Sequence, residues 1–319
     1  MKIVIPDDYQ GAVAQLDCYA QLSRHAVVVY RDTVKDIEEL AERFRDADAL
    51  LLIRERTAIT AALLDRLPQL KLISQTGKGI AHIDVAACSA RGVAVCAGTG
   101  SPVAPAELTF ALILASARRI PQEVQRLREG GWQSTLGKTL KGKTLGIFGY
   151  GKIGALVAGY GKAFGMTVLV WGSENSKVRA RADGYCLAAD RAAFFAEADV
   201  LSLHLRLTKE TRGMVRSADL AGMKSSALLV NTARAELIEP GVLVNALKAG
   251  RPGFAAVDVF EEEPVLGARH PLLQIENAIC TPHLGYVEKE SYELYFGQAF
   301  EQIIAFAAGK PINVVNPTQ

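Results

Sequence analysis

Residues 143–154 read Lys-Thr-Leu-Gly-Ile-Phe-Gly-Tyr-Gly-Lys-Ile-Gly. The apolar run at 145–148 predicts a buried strand, and the pattern at 153–164 predicts a helix directly after it. The spacing G-x-G-x-x-G fills the turn between them. The first glycine would make a tight turn, the second would let a phosphate approach the backbone, and the third would let the helix pack on the strand. This context predicts a dinucleotide-binding turn, with contacts from Gly149, Tyr150, Gly151, Lys152, Ile153 and Gly154.

The next strand should end at the group that reads the adenosine ribose, about 20 residues after the glycines. An acidic residue at Gly172 would mark NAD, and it is absent. Glu174 could accept from the ribose 2′-hydroxyl, whereas Ser173, Lys177 and Arg179 could hold a 2′-phosphate. The sequence leaves NAD and NADP open, and it favours NAD slightly because a nearby carboxylate would repel a phosphate. We count Ser173 among the cofactor contacts.

Short apolar runs alternate with helical patterns along the chain, which predicts βαβ units and parallel sheets covered on both faces. A long helix is predicted over Val103–Arg128, and a last helix over Glu288–Ala308 follows the final strand. The predicted fold class is α/β with two doubly wound parallel-sheet domains. A Rossmann-type cofactor domain, residues 101–287, is inserted into a flavodoxin-like substrate domain, residues 1–100 and 288–319. The strands predicted for the substrate domain include Lys2–Ile5, Val27–Tyr30, Ala49–Ile53 and Leu70–Ile73.

Composition narrows the class of protein. Of 319 residues, 50% are hydrophobic and 22% are charged, which is typical of a folded globular chain rather than a disordered one. The formal charge of +2 lacks the basic excess of a nucleic-acid-binding protein. The five cysteines have no metal-ligand spacing, so no metal is expected. We find no signal peptide and no membrane span, and we expect a cytoplasmic protein.

Three polar residues follow later predicted strands, where ligands of open α/β sheets gather. Arg234 comes after Leu-Val-Asn-Thr-Ala, and Glu263 ends the stretch Asp-Val-Phe-Glu-Glu-Glu before a proline. His283 lies within Thr-Pro-His-Leu-Gly-Tyr. These three are the candidate catalytic residues.

The order of these motifs resembles the D-isomer-specific 2-hydroxyacid dehydrogenases over nearly the whole chain. The matching stretches are the glycine turn, residues 203–208 with Thr211, Asn-x-x-Arg, Asp-Val-Phe-x-x-Glu-Pro and Thr-Pro-His-Leu-Gly. In the first domain, residues 76–80 and 53–57 resemble the two substrate-facing loops of that family. The resemblance implies hydride transfer between NAD(P)(H) and C2 of a small 2-keto or D-2-hydroxy acid.

The resemblance also implies roles that suit the residue types. Arg234 would clamp the substrate carboxylate with its planar fork. His283 would donate a proton to the carbonyl oxygen during reduction and accept it in reverse. Glu263 would pair with the imidazole, fix the ring and favour its protonated form.

Further contacts follow from the same resemblance. Cofactor contacts are implied for His204, Thr211, Thr232 and Asp258, with Asp258 facing the nicotinamide carboxamide. Substrate contacts are implied for Arg54, Lys78 and Gly79, the latter two through backbone N–H groups. Arg54 could instead form a salt bridge with Glu55 or Asp48.

Candidate substrates are glyoxylate, hydroxypyruvate and 3-phosphohydroxypyruvate. Arg54 and Arg56 could hold a phosphate, which makes D-3-phosphoglycerate dehydrogenase a candidate activity. The chain departs from the family at Ala235, where glycine is usual, and at Arg206, where proline is common. Neither change removes a reacting group, but both leave the cofactor preference open.

Two further expectations concern partners. The apolar residues of the predicted helix Val103–Arg128 favour a homodimer, as in the family, over a buried core helix. An alternative function is an NAD(H)-sensing binding protein, like the corepressors that share the fold. Such a sensor would bind the cofactor with negligible turnover.

Overall fold

The structure is a computed structural model that describes residues 1–316. It divides into two compact units, which we call unit 1 (Met1–Ser101 and the chain from Val287 onward) and unit 2 (Pro102–Tyr286). The domain boundaries expected from the sequence differ from this division by one residue at each junction, and their last three residues lie outside the described part. Among the described residues, no helix is both long and apolar enough to cross a bilayer.

Unit 1 is built on a five-stranded sheet in which every neighbouring pair is parallel. The order is β2-β1-β3-β4-β5, the doubly wound order of flavodoxin-like folds, so the predicted fold is confirmed. Its strands are β1 (Lys2–Ile5), β2 (Ala26–Val29), β3 (Ala49–Leu52), β4 (Leu72–Gln75) and β5 (Ala94–Ala97). Its first helices are α1 (Ile37–Phe44), α2 (Ala61–Leu64) and α3 (Val85–Ala90), and 3-10 turns lie at Val13–Gln15 and Asp17–Leu22.

The helices of unit 1 begin at residues whose side chains cap the free backbone N–H groups. The Asp36 carboxylate accepts from the first turn of α1, the Thr60 hydroxyl from that of α2, and the Asp84 carboxylate from that of α3. Such caps stabilise a short helix by about 1 kcal/mol each, which matters for helices of four to eight residues. The start of each helix is therefore encoded locally.

Unit 2 contains a seven-stranded parallel sheet with the order β12-β11-β10-β9-β6-β7-β8. Its elements are α4 (Val103–Ala117), α5 (Ile120–Arg128), β6 (Thr144–Phe148), α6 (Lys152–Ala163), β7 (Thr167–Trp171), α7 (Glu174–Ala182), β8 (Cys186–Leu187), α8 (Arg191–Glu197), β9 (Val200–Leu203), α9 (Ser217–Gly222), β10 (Leu228–Asn231), α10 (Val242–Lys248), β11 (Phe254–Val257) and β12 (Ala278–Cys280), with 3-10 turns at Ala235–Leu237 and Pro271–Gln274. Counted from β6, this is the Rossmann order with one added strand, and the order reverses between β6 and β9. The predicted fold is confirmed here too.

Both faces of the unit 2 sheet are covered. Phe194, Leu201 and Leu229 belong to one buried cluster, and Ile113 and Ile147 to the other. Strands buried on two sides need apolar residues throughout, which explains the continuous runs in the sequence. The loops that follow the strands lie at the edge of the sheet where ligands of open α/β folds bind.

After β12 the chain returns to unit 1 as α11 (Lys289–Ala307). Its start is capped by the Glu288 carboxylate, which accepts from the N–H groups of Glu290 and Ser291. The Ser74 hydroxyl of β4 lies 2.9 Å from the Ala299 carbonyl and 2.8 Å from the Gln302 amide oxygen of this helix. The last helix therefore packs on the sheet of unit 1 and belongs to that unit.

The single helix predicted over Val103–Arg128 is wrong, because the structure has two helices there. The first ends at Ala117, and Arg119 adopts a left-handed φ of 55° before the second begins. Pro121 lies in the first turn of the second helix. A proline has no N–H to donate four residues back and disfavours helical backbone before it, so a continuous helix cannot pass this point.

Candidate active site

The glycine turn between β6 and α6 leaves room for a ligand where the motif predicts it. Gly149 has φ 97°, and a Cβ there would lie 2.9 Å from the His204 carbonyl oxygen. A Cβ on Gly154 would lie 2.3 Å from the Gly149 oxygen, whereas one on Gly151 would meet no atom within 4 Å. Gly151 is also the N-cap of α6, with no side-chain cap bond. The backbone N–H groups therefore face open space that fits a pyrophosphate.

Tyr150 holds the turn from inside instead of facing that space. Its side chain is buried, and its hydroxyl donates to the Asp183 carboxylate at 2.7 Å. Burial and that carboxylate raise the pKa of Tyr150. The Arg179 guanidinium, a candidate for a 2′-phosphate, donates to the Tyr150 carbonyl oxygen at 2.6 Å. Both contacts tie the turn to α7. Lys152 and Ile153 follow in the first turn of α6.

The end of β7 presents no acidic residue to the ribose position. Ser173 caps α7, its oxygen accepting from the Ser176 N–H at 3.4 Å. The Glu174 carboxylate is 84% exposed and pairs with Lys177 at 2.8 Å, which lowers the pKa of Glu174. A Cβ on Gly172 would lie 3.2 Å from the Ser176 Cβ. Because Lys177 offsets the Glu174 charge, the electrostatic reason to favour NAD over NADP is weaker than the sequence suggested.

Three further predicted cofactor contacts lie on loops of unit 2. The His204 amide bonds to the Phe148 carbonyl, which places this residue at the reversal point between β6 and β9. Its Nε2 is buried with no hydrogen-bond partner among the described residues, and burial lowers the pKa of His204 to about 3. The Thr211 hydroxyl donates to the Arg206 carbonyl, and the Thr232 hydroxyl lies 2.6 Å from that of Thr109.

The structure brings His283 and Glu263 together. The imidazole Nδ1 lies 2.7 Å from the Glu263 Oε2, and both side chains are about one-sixth exposed, at 15% and 16%. The other Glu263 oxygen accepts from the Phe260 N–H at 3.0 Å. The Tyr286 ring meets the imidazole edge-on at 5.6 Å between centroids. The carboxylate orients the ring, and a histidine oriented in this way is built for proton transfer.

Asp258 shapes the turn that carries His283. One carboxylate oxygen accepts from the Thr281 hydroxyl at 2.6 Å and the Leu284 N–H at 2.7 Å, and the other from the Gly285 N–H at 2.9 Å. The side chain is fully buried, and burial raises the pKa of Asp258. These bonds span His283, whose φ is +54°. The implied contact of Asp258 with the nicotinamide stays a prediction.

Arg234 follows β10, the strand beside β11 in the sheet. The buried Asn231 shapes its turn, since the Asn231 amide donates to the Arg234 carbonyl at 2.8 Å and accepts from the Ala233 N–H at 3.1 Å. Arg234 Nη1 donates to the Ala233 carbonyl. Asn231 was not among the predicted site residues. The Asn-x-x-Arg spacing could have indicated that Asn231 shapes the turn that carries Arg234.

The predicted substrate contacts of unit 1 lie on two neighbouring loops. Arg54 has φ 55°, and its N–H donates to the Thr76 hydroxyl at 2.9 Å. Its guanidinium lies beside Gly77, whose φ of +82° is the left-handed backbone conformation that favours glycine. The Lys78 side chain is exposed, and a Cβ on Gly79 would lie 2.5 Å from the Glu55 carboxylate.

The alternative salt bridge of Arg54 with Asp48 has a competitor, because Asp48 pairs with Lys71 at 2.8 Å. Within residues 1–316, no group of three or more His, Cys, Asp or Glu side chains is arranged to hold a metal ion.

A family model describing the NAD binding domain of D-isomer specific 2-hydroxyacid dehydrogenases matches residues 110–285. The chain belongs to this family. Unit 2 of this 2-hydroxyacid dehydrogenase is accordingly its NAD-binding domain, and the chain is an NAD-dependent oxidoreductase by family.

Related proteins carry more than one substrate name. A glyoxylate reductase of Aeropyrum pernix is 40% identical to this dehydrogenase over 297 residues, covering 88% of this chain and 86% of the relative. A D-3-phosphoglycerate dehydrogenase of Methanocaldococcus jannaschii is 39% identical over 283 residues. That match covers 88% of this chain but 53% of the relative, so the chain spans about half its length. The crystal structure of a phosphoglycerate oxidoreductase from Vibrio cholerae has a TM-score of 0.94 at 54% identity, covering 97% of this chain and 99% of that one.

Proposed function

We propose that this dehydrogenase interconverts a small 2-keto acid and the corresponding D-2-hydroxy acid, with His283 as general acid and base. The observation that carries the proposal is the 2.7 Å contact between His283 and Glu263 after neighbouring strands of an NAD-binding domain. When bound, the nicotinamide supplies the hydride in one direction and takes it in the other. The residues of the chain transfer the proton to or from the substrate oxygen and bind the negatively charged carboxylate of the substrate.

His283 moves the proton through its Nε2. Since Nδ1 faces a carboxylate, Nδ1 carries a hydrogen, and Nε2 is the atom left to act on the substrate. In reduction, Nε2–H donates to the carbonyl oxygen, and in oxidation Nε2 accepts the hydroxyl proton. Glu263 accepts the Nδ1 hydrogen and so fixes the orientation of the ring for this step.

Arg234 is proposed to hold the substrate carboxylate. A guanidinium offers two parallel N–H donors that match a carboxylate, and it stays charged at any physiological pH. The Asn231 bonds fix the backbone from which the side chain extends. Arg54, Lys78 and Gly79 stay predicted substrate contacts.

The substrate class follows from chemistry that the chain shares with its named relatives. Glyoxylate and hydroxypyruvate need only the carboxylate clamp and the proton donor. The substrate 3-phosphohydroxypyruvate also needs a cation for its phosphate, for which Arg54 and Arg56 are the candidates. A homodimer in the cytoplasm is part of the same proposal.

The test is a matrix of initial rates measured by nicotinamide absorbance. NADH and NADPH are each offered with glyoxylate, hydroxypyruvate, 3-phosphohydroxypyruvate and pyruvate. We expect turnover with at least one acid, and an Arg54→Ala variant should lose the phosphorylated substrate selectively if that residue binds its phosphate. Tight cofactor binding without turnover on any acid would overturn the proposal and favour a cofactor-sensing protein.

A further inference from the structure

A second glutamate–histidine pair lies beside the first, on the same segment after β11. Glu261 Oε2 lies 3.0 Å from the His270 Nε2, two residues before Glu263. The segment therefore lies between two imidazoles, with His270 beside Glu261 and His283 beside Glu263.

His270 is itself firmly held. Its Nδ1 accepts from the Leu272 N–H at 3.3 Å and so caps the 3-10 turn Pro271–Gln274. Because Nδ1 accepts, the ring hydrogen is on Nε2 and points at the Glu261 carboxylate. Leu272 is buried in the core of unit 2, which anchors the turn. The ring therefore offers a fixed donor to the segment.

His270 touches the segment at a second point. Its ring packs edge-on against the Phe260 ring, with 4.8 Å between centroids. Phe260 is buried, and its N–H is the donor that fixes one oxygen of Glu263. An unbroken chain of contacts thus runs from His270 through Phe260 and Glu263 to His283.

We propose that His270 is a positioning residue that holds Phe260 and Glu261 so that Glu263 stays in contact with His283. The inference rests on the proposed catalytic role of that pair. The loop between Glu263 and His270 is irregular, since Gly267 and Ala268 both have positive φ and Leu266 is 66% exposed. A contact from His270 back to the segment therefore limits the positions that the segment can adopt.

The charged and titratable groups near the catalytic imidazole are Glu263, Asp258 and Tyr286. None of them is changed in the test. Variants are made at His270 and Glu261, and Glu262→Ala serves as the matched control, because it removes an equal charge from the adjacent exposed position. Each variant is compared with wild type by the kcat and KM of keto-acid reduction.

His270→Ala should lower kcat roughly fivefold to twentyfold, a part of the 10²–10⁴ that general acid–base catalysis supplies. KM should change less than about twofold, because His270 touches neither substrate nor cofactor in the proposal. Glu261→Ala should follow His270→Ala, while Glu261→Gln keeps an acceptor oxygen and should stay near wild type.

His270→Asn separates this role from a merely structural one. Asparagine is a good helix cap and can still accept from the Leu272 N–H, but it is too short to reach Glu261. We expect it to restore the thermal midpoint and not kcat. A structural role alone would restore both.

A proton NMR signal reports the contact without any turnover. The Nδ1–H of His283 donates to a carboxylate and should give a low-field signal that His283→Asn removes. His270→Ala should weaken or shift it, and Glu262→Ala should leave it in place. If His270→Asn and Glu261→Ala both keep the wild-type kcat and NMR signal, the positioning role of His270 is disproved. If wild type reduces no keto acid, the proposed function fails, and the signal still decides whether His270 positions Glu263.

Discussion

His283 occupies a left-handed backbone conformation, with φ +54°. Asparagine, aspartate and histidine adopt this region more easily than other side chains do. His283→Asn therefore removes the imidazole with little added backbone strain, which an alanine variant would not achieve. We expect kcat to fall by about 10²–10⁴ with a small change in KM. Steady-state kinetics test this, with His25→Asn in unit 1 as control, and a kcat within threefold of wild type would falsify the general acid assignment.

His82 should make the protein less stable in mild acid. Both ring nitrogens are buried with no hydrogen-bond partner in the described chain, and burial lowers the pKa of His82 to about 4. The unfolded chain, with a histidine pKa of about 6.5, binds the proton more readily, so the free energy of unfolding falls as pH drops through 6.5 toward 4. Between pH 7.5 and 5 the loss should reach about 2 kcal/mol.

His82→Leu removes this titration. Urea unfolding at pH 7.5, 6.5 and 5 should show a decline in stability that is smaller by about that amount in the variant. His204, whose pKa burial also lowers, to about 3, contributes with the same sign and remains in both proteins. Equal declines in wild type and variant would show that the folded state accommodates a charged His82.

The sequence could name the residues of the site, and the family resemblance implied the pairing of Glu263 with His283, but the other contacts could not be predicted. Arg234, Glu263 and His283 stand in motifs whose spacing is visible in the chain. The bonds of Asp258 to residues 281–285 and of Glu261 to His270 depend on the path of the intervening loops. No local pattern in one sequence encodes that path, so a buried carboxylate that shapes a turn and one that meets a ligand look alike.

At the scale of elements, two glycines of α6, Gly154 and Gly159, differ sharply in the space around them. Gly154→Ala would bring a methyl group within 2.3 Å of the Gly149 oxygen and push the helix from the turn. Gly159→Ala meets nothing within 4 Å, and alanine favours a helix interior by about 0.5–1 kcal/mol.

We expect the dissociation constant for NADH to rise about tenfold or more in Gly154→Ala, a loss of ~1.4 kcal/mol or more. In Gly159→Ala, binding should be unchanged and the thermal midpoint equal or higher. Fluorescence titration with NADH and thermal unfolding measure both. Equal NADH binding by the two variants would mean that the turn does not need its close approach to α6.

The elements themselves were largely predictable, and the errors have local causes. Lys2–Ile5 coincides with its predicted strand, because a β-branched run bounded by turns has little freedom. The strand predicted at Leu70–Ile73 runs over Leu72–Gln75 instead. Its polar end, with Ser74 and Gln75, is buried and bonded, and apolar pattern alone cannot extend a strand into polar residues.

At the scale of the molecule, the two parallel doubly wound sheets were predicted from the alternation of strands and helices, and the structure supplies their strand orders. Parallel strands need crossover helices, and the right-handed crossover rule leaves few orders to choose from. Surface contacts with other chains are not constrained in that way. Helix α5 is an example of a surface whose partner the fold does not determine, since none of its nine residues is buried.

That helix carries an apolar face of Ile120, Val124 and Leu127, spaced four and then three residues apart and 43–59% exposed. Beyond it, Trp132 is 75% exposed and Leu136 is 96% exposed. A helix of this length is marginal in water without a packing partner, and a contiguous apolar patch marks an interface. A second copy of the chain, related by a two-fold axis, is the occupant that we predict.

Sedimentation velocity at micromolar concentration should therefore give a dimer. Leu127→Glu with Leu136→Asp should weaken it at least tenfold, because burying each leucine contributes about 1.5–3 kcal/mol. Leu266→Asp is the matched control, since Leu266 is 66% exposed in unit 2 but lies outside this face. It should leave the dimer intact. A monomeric wild type would refute the prediction, and a dimer that survives the double substitution would place the interface on another surface.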